Sequence, residues 1–247
     1  GVGRLSGRGV RTARMKILLS PAKTFRKEAL SSVPSIQAPR FPEMTEQLHE
    51  ELKKLTAAQW QKQFKLSEKA ARENAARMNS AQPLTAALAA FHGEAFRSFH
   101  AETLKAEDWR YCEEHLRILS AYYGLLRPLD AIVPYRLDPG DKIGGLLPLN
   151  LWKPILTRAL AEEEVLILAS QEYARMVEAA DAVFVQFMKN GRKAPSMEAK
   201  KLRGTMARQI VDLKLEQRKA VRQLQVGNYR YNPEQSQAKL WVFEEGE

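Results

Sequence analysis

One short apolar segment of the chain ends in residues of the types that bind phosphate. KILLSPAKTF (residues 16–25) reads as a buried strand that delivers Ser20, Lys23 and Thr24 at its carboxyl end. A Walker A loop needs two glycines before its Lys-Ser or Lys-Thr pair, so that backbone N–H groups can wrap a phosphate. This segment has neither glycine, and Pro21 removes one backbone donor. The sequence therefore argues against an ATPase and leaves a looser anion site or a purely structural turn.

A second apolar run ends in the same way. VLILAS (residues 165–170) closes on Ser170, and Glu172 and Tyr173 follow it. If this strand lies beside the first and runs parallel to it, the two carboxyl ends share one edge of a sheet, where open α/β sheets bind ligands. We therefore predict a strand-end rim that includes Ser20 and Lys23. Such a rim is a candidate site for an enzyme acting on a phosphorylated or nucleic-acid substrate.

Basic residues are concentrated near the carboxyl end of the chain. The 247 residues carry a formal charge of +10, and residues 189–222 alone hold eleven Lys or Arg against three acids. An apolar stripe predicts a helix from Ser196 to Leu213, with Ala199, Leu202, Met206, Ile210 and Leu213 facing inward. Four basic residues lie off this stripe: Lys200, Lys201, Arg203 and Arg208. A charge of this size favours a polyanionic partner, although a solvated helix face is the simpler alternative.

Two short helices joined by a tight turn form a second basic element. Thr56 and Ser67 are typical N-caps, and only Lys65-Leu66-Ser67 separates the helices. The outline is that of a helix-hairpin-helix, in which backbone N–H groups at the second helix bind a phosphate. The predicted contacts are Lys62, Lys65, Ser67, Lys69 and Arg72.

Together these two elements predict binding to double-stranded or structured DNA through its phosphate backbone. We expect a basic groove between the helical hairpin and the helix that carries Lys200, Lys201, Arg203 and Arg208. No feature of the sequence suggests base recognition, so binding should be independent of sequence and sensitive to salt.

Metal and nucleophile signatures are weak. The chain has four histidines, a single Glu-x-x-His (Glu46 to His49) and no HExxH, so no metal site or cofactor is predicted. Ser20 or Ser170 lacks the G-x-S-x-G elbow of a hydrolase. The single cysteine, Cys112, excludes a disulfide framework, and we expect it to be buried and inert. Cytoplasmic residence follows as the simplest expectation, with no membrane segment and no obligate protein partner evident.

The order of the predicted elements indicates an α+β fold. We expect a disordered leader over residues 1–14, then one compact domain over 15–247 with a mixed sheet surrounded by helices and a helical insertion at 43–80. An alanine-rich helix should follow the Gln82-Pro83 break and run into AAFHGEAF. A further helix should begin near residue 106, with Gly124 as its left-handed stop and an apolar stripe of Trp109, Cys112, Leu116, Leu119 and Tyr123. Asn-Gly in AVFVQFMKNGRK predicts a hairpin, and NYRYNPEQSQAKLWVF predicts another.

Several of these stretches together resemble one family. KILLSPAKT, FHGEAF, HLRILSAYYGLLRPLDAIVPYRLDPG, LILASQEY and AKKLRGTMARQIV occur in the order and approximate spacing of the YaaA family of bacterial peroxide-stress proteins. The resemblance covers about residues 15–243. Its signature residues include Arg127 and Arg136, which we add to the candidate rim of Ser20, Lys23, Thr24, Ser170, Glu172 and Tyr173.

This resemblance implies a cytoplasmic bacterial protein that protects DNA and proteins during hydrogen peroxide stress and is associated with lowering unincorporated iron. It also implies DNA binding through a helix-hairpin-helix-like element and a basic cleft. The resemblance supplies no catalytic residue. The leading prediction is a DNA-binding protein that limits iron-driven (Fenton) damage, and the alternative is an enzyme at the strand-end Ser/Lys rim. Direct iron sequestration is a third possibility, which the histidine-poor sequence supports least.

Overall fold

The computed structural model describes residues 14–179 and 181–246. The predicted leader lies outside these residues except for Arg14, which already belongs to the folded part. Its backbone N–H donates to the Glu163 carboxylate at 3.3 Å, and its carbonyl oxygen accepts from the Glu164 N–H at 3.2 Å. Arg14, one residue before the first strand, is therefore hydrogen-bonded to the Glu163–Glu164 segment.

Eleven strands are present in the described residues. They are β1 (Met15–Leu19), β2 (Thr85–Ala86), β3 (Leu116–Ser120), β4 (Gly124–Leu126), β5 (Ala131–Ile132), β6 (Glu164–Leu168), β7 (Ala182–Lys189), β8 (Arg192–Lys193), β9 (Gln225–Val226), β10 (Tyr229–Tyr231) and β11 (Leu240–Glu245). β2 and β5 pair with each other, and the other nine form one sheet. Its order is β4-β3-β1-β6-β7-β11-β10-β9, with β8 paired to β7.

The sheet is parallel at its centre and antiparallel at its edges. β3, β1, β6, β7 and β11 are neighbours that all run parallel, whereas β4, β8, β9 and β10 pair antiparallel. The predicted α+β class with a mixed sheet is confirmed. Both predicted hairpins are also confirmed: β7 and β8 are joined by Asn190 and Gly191, both with positive φ, and β10 pairs with β11.

Helices surround this sheet. They are α1 (Pro42–Lys53), α2 (Ala57–Phe64), α3 (Glu68–Met78), α4 (Ala87–Ala90), α5 (Glu94–Phe99), α6 (Ala106–His115), α7 (Pro148–Ala159), α8 (Gln171–Ala174) and α9 (Ser196–Leu213), with 3-10 turns at Ala101–Thr103 and Arg218–Gln223. The first three occupy the predicted helical segment at 43–80. Leu48, Leu52, Trp60 and Phe64 anchor α1 and α2 in the core.

The predicted helix from residue 106 to 123 is wrong in its second half. α6 ends at His115, and Leu116–Ser120 forms the strand β3 between β1 and β4. Every residue of β3 is buried, so its apolar residues satisfy a helical stripe as readily as a strand. Gly124 does have a positive φ of 83°, but it opens β4 and ends no helix.

Two smaller predictions are also corrected. The alanine-rich segment forms α4, a single turn, and a separate helix α5, because Phe91 is in an extended conformation between them. Leu213 was expected to face inward but is 59% exposed. In the last two turns of α9 the buried side chains are Ala207, Ile210 and Val211, so Leu213 falls off the core-facing stripe.

Close packing of α5 against α9 fixes the position of the basic helix. A Cβ atom added at Gly204 of α9 would overlap the backbone of Ala95, including its carbonyl oxygen. The absence of a side chain therefore lets the two helices approach closely. Arg208 strengthens this contact by donating to the carbonyl oxygens of Phe99 and His100 at 2.9 and 2.6 Å. The start of α9 is thereby held beside the carboxyl ends of β1 and β6.

Candidate functional site

The carboxyl ends of β1 and β6 are adjacent, as the sequence predicts. The two strands are parallel neighbours, with Leu19 opposite Leu168. The Ser20 hydroxyl oxygen accepts a hydrogen bond from the backbone N–H of Ser170 at 2.8 Å. The Ser170 hydroxyl oxygen in turn accepts from the backbone N–H of Tyr173 at 3.5 Å and caps α8. Both serines therefore organise the strand ends through backbone contacts.

A cavity of about 480 Å³ opens at this edge of the sheet. Seven of the eight predicted rim residues line it: Ser20, Lys23, Thr24, Arg136, Ser170, Glu172 and Tyr173. Two residues that sequence reasoning assigned to a DNA groove, Lys200 and Arg203 of α9, line it as well. The volume lies within the range of small-molecule sites, about 300–1,000 Å³.

Arg127 is the predicted rim residue that does not line the cavity. Its guanidinium pairs with the fully buried Asp130 at 2.9 Å, and it also donates to the carbonyl oxygen of Ala38 at 2.9 Å. The backbone N–H of Arg127 donates to the same carboxylate. Burial raises the pKa of Asp130 above its ordinary value, against the opposing effect of these contacts with Arg127. The position of Arg127 is thus explained by a structural ion pair.

Three further charged residues of the cavity were missed from sequence. Glu94 lies in the segment FHGEAF and Arg97 directly follows it; both belong to α5 and pair with each other at 3.1 Å. Asp138 lies in YRLDPG and accepts from the Tyr173 hydroxyl at 3.0 Å, with Lys23 Nζ 3.9 Å from its other oxygen. Both segments carried the family resemblance, which was the available signal for them.

Several cations of the cavity lack a carboxylate partner. In the part of the chain that the structure describes, Arg136, Lys200 and Arg203 form no ion pair. The Nε atoms of Arg136 and Arg203 are buried and have no hydrogen-bond partner among the same residues. Burial lowers the pKa of Arg203, which marks a guanidinium that is desolvated without compensation. An anion entering the cavity would supply the ionic partner that these three cations lack.

The acidic groups of the cavity respond to the same environment. Desolvation at the cavity mouth, followed by the neighbouring Asp138, raises the pKa of Glu172, although its side chain retains solvent contact. Burial is also the main cause that raises the pKa of Tyr173, so this phenol stays neutral and donates to Asp138. The site therefore has a positive surplus at neutral pH.

The floor of the cavity is apolar. Phe96, Tyr135, Leu137 and Leu168 line it and are each less than 7% exposed. The Tyr135 hydroxyl is satisfied by Ser120 Oγ at 2.7 Å, so this ring is fixed in place. A ligand in this cavity would meet cations at the mouth and rings at the floor.

The hairpin of α2 and α3 forms the second candidate site. Thr56 caps α2 through a capping box with Gln59, and Ser67 caps α3 by accepting from the backbone N–H of Ala70 at 3.1 Å. Between the helices Lys65 takes the left-handed conformation with φ 53°, and its N–H bonds to the carbonyl oxygen of Gln61. Leu66 packs against the core, so the turn has a defined shape.

All five predicted hairpin contacts are exposed to solvent: Lys62, Lys65, Ser67, Lys69 and Arg72. Lys69 forms a weak pair with Glu73 at 4.0 Å, and Arg72 pairs with Glu68. Lys62 and Lys65 form no ion pair within residues 14–179 and 181–246. The cavity that contains Lys200 and Arg203 includes no residue of α2 or α3.

The other two predicted contacts on α9 have different surroundings. Lys201 is exposed and does not line the cavity. Arg208 is held by α5 and by Asp212 at 2.8 Å, so its guanidinium serves helix packing. The residues predicted to form one basic groove therefore lie in different places. The hairpin lysines are on α2 and α3, Lys200 and Arg203 line the cavity, and Arg208 packs α9 against α5.

In the described residues, no group of three or more His, Cys, Asp and Glu residues is arranged to hold a metal ion. His49 Nδ1 contacts the Tyr122 hydroxyl at 2.9 Å. Cys112 is fully buried, and burial raises the pKa of its thiol to about 12. No helix within those residues is long and apolar enough to cross a membrane.

The fold and the site define an α+β protein with a cationic cavity at the carboxyl ends of its parallel strands. Comparison with protein families identifies the chain further. The family model described as peroxide stress protein YaaA matches residues 15–235, and the chain belongs to this family. The match spans every strand except β11 and includes all three helices of the 43–80 segment.

Proposed function

We propose that this YaaA-family peroxide stress protein binds duplex or structured DNA through its phosphate backbone, without strong sequence preference. The observation that carries the proposal is the α2–α3 hairpin. Its turn exposes Lys62, Lys65 and Lys69 around the amino end of α3. The partial positive charge of a helix amino end attracts phosphate, and flanking cations reinforce it.

Backbone hydrogen bonding supports the same interface. Ser67 Oγ accepts a hydrogen bond from the N–H of Ala70, and the Ser67 carbonyl oxygen accepts one from the N–H of Ala71. The N–H groups of Glu68 and Lys69 are the first two of the helix, which have no partner within an α-helix. A phosphate oxygen placed at the turn would accept from them, while Lys65 and Lys69 add charge. Contacts of this kind position a duplex without reading its bases.

The biological role proposed is protection during peroxide stress by limiting iron-driven (Fenton) damage in the cytoplasm. Family membership supports the peroxide part of this role. No residue of the chain acts as a metal ligand in this role, and the protective contact is with DNA. Protein bound along the phosphate backbone would compete with the metal cations that condense on it.

The test is a gel-shift series with duplex, junction and single-stranded DNA of unrelated sequences at 50 and 200 mM salt. We expect submicromolar binding to duplex or junction at the lower salt, similar affinities for different sequences, and strong weakening at the higher salt. No shift with any of these DNAs at low salt would reject the proposal. A parallel peroxide-survival assay should show loss of protection when the hairpin lysines are reversed to glutamate.

A further inference from the structure

The strand-end cavity contains more positive charge than its own acids neutralise. Lys23 is paired with Asp138 and Arg97 with Glu94, which leaves Arg136, Lys200 and Arg203 against a single acid, Glu172. The surplus is therefore two positive charges when Glu172 is ionised. Desolvation also raises the pKa of that carboxyl above its ordinary value. A dianion of the charge of a phosphate monoester would balance this surplus.

Guanidinium groups and burial favour phosphate in particular. Arg136 and Arg203 offer planar forks of donors that match phosphate oxygens, and both have buried Nε atoms without a partner in the described residues. They reach the cavity from different elements: Arg136 from the loop after β5, and Arg203 from α9. Lys200 lies one turn before Arg203 and adds an exposed cation to the same wall.

The rest of the cavity suits a flat organic group. Phe96 and Tyr135 lie at the floor with Leu137 and Leu168, and the volume of about 480 Å³ exceeds what a lone phosphate fills. Tyr135 already stacks on Tyr122 and Phe96 packs on Phe91, so the floor offers a flat base an apolar contact surface rather than a free ring face. Asp138 and Glu172 also line the cavity, and their carboxylates are acceptors that suit sugar hydroxyls.

We propose that the strand-end cavity binds a nucleoside monophosphate, with the phosphate monoester held by Arg136, Lys200 and Arg203 and the base against Phe96 and Tyr135. The same chemistry is offered by a free nucleotide and by the 5′-phosphorylated terminal nucleotide of a DNA strand. This site is separate from the α2–α3 hairpin and does not depend on duplex binding there. The ligand assigned to Lys200 and Arg203 is therefore different from the duplex backbone proposed to bind at the hairpin.

The experiment is a calorimetric titration of the full chain with AMP, dAMP, adenosine and inorganic phosphate. We expect AMP and dAMP to bind, adenosine to bind at least tenfold more weakly because it lacks the dianion, and inorganic phosphate to bind weakly because it leaves the floor empty. Adenosine binding as tightly as AMP, or no binding of any nucleotide at millimolar concentration, would overturn the proposal. Oligonucleotides with and without a 5′-phosphate then distinguish the two sources. Phosphate-dependent binding of the oligonucleotide assigns a strand end, and binding of mononucleotides alone assigns a free nucleotide.

Adjacent lysines of α9 provide a matched control. Lys200→Ala should weaken AMP binding about tenfold, whereas Lys201→Ala, which removes an exposed lysine that does not line the cavity, should stay within twofold. Arg203→Lys keeps the charge and removes the fork, so it should also weaken binding. Equal effects of the Lys200 and Lys201 variants would contradict the assignment. Charge reversal at Lys65 and Lys69 should leave AMP affinity unchanged, which separates this site from the proposed DNA interface.

Discussion

The hydroxyl oxygen of Ser20 accepts a hydrogen bond from the backbone N–H of Ser170 across 150 residues of sequence, at 2.8 Å. This bond joins the ends of two parallel strands at the point where the cavity opens. The serine in KILLSPAKT is therefore a structural tie between β1 and β6, and the cations around it supply the capacity to bind an anion.

Replacing Ser20 by alanine should leave the Ser170 N–H without its acceptor. Because both residues are partly buried, we expect the free energy of unfolding to fall by about 1 kcal/mol. Urea denaturation of the variant measures this change. Ser31→Ala, which removes an exposed hydroxyl, is the control and should change stability by less than about 0.5 kcal/mol. Equal stability of the two variants would show that the tie contributes nothing.

Two variants of Lys65 distinguish the effect of its backbone conformation on stability from the effect of its charge on DNA binding. Its left-handed φ of 53° is strained for a residue with a Cβ atom and natural for glycine. Lys65→Gly should therefore raise the free energy of unfolding by up to about 1 kcal/mol while weakening duplex binding, because the cation is lost. Lys65→Ala should weaken binding equally and give no gain in stability. If the glycine variant binds DNA as well as the wild type, Lys65 does not contact phosphate.

Gly204 tests whether the close packing of α5 against α9 stabilises the fold. A side chain there collides with the backbone of Ala95, so Gly204→Ala should destabilise the protein by about 1–3 kcal/mol. Gly140→Ala serves as the neutral comparison, since no atom beyond its own residue and its two chain neighbours lies within 4 Å of its added Cβ. Thermal unfolding of both variants decides the question. A Gly204 variant as stable as the Gly140 variant would mean that the helices can separate without cost.

His92 should make the protein less stable below neutral pH. Burial, followed by the nearby Arg26 and Arg97, lowers the pKa of its imidazole from 6.5, and Glu102 opposes this only in part. The unfolded state therefore binds a proton that the folded state resists, so stability is complete above pH 6.5 and is lost as the pH falls toward the lowered pKa. Melting temperatures from pH 8 to 5 should fall less for His92→Gln than for the wild type. Parallel curves for the two proteins would exclude this residue as the cause.

The sequence predicts strand ends better than it predicts which surface a charge faces. Adjacent β1 and β6 followed from two apolar runs that each end in serine, and the caps Thr56 and Ser67 followed from local hydrogen bonding. Leu116–Ser120 was misassigned because a segment buried on every side has no period that separates strand from helix.

Long-range packing accounts for the misplaced charges. Lys200 and Lys201 are neighbours in sequence, yet only Lys200 lines the cavity, because α9 is seated on α5 at Gly204. Arg127 pairs with the buried Asp130 three residues away, and this ion pair holds its side chain away from the rim. Neither relationship can be read from spacing alone, since both depend on which faces are buried in the finished fold.

The most direct test of the proposed DNA interface is the salt dependence of duplex affinity for the Lys65→Glu/Lys69→Glu variant. A matched control, Lys219→Glu/Lys239→Glu, makes the same change in net charge at exposed lysines outside the hairpin. If the hairpin lysines contact phosphates, the slope of log affinity against log salt should become shallower by about two for the hairpin variant and by much less for the control, with weaker binding at every salt. Identical slopes and affinities for the two variants would contradict the account.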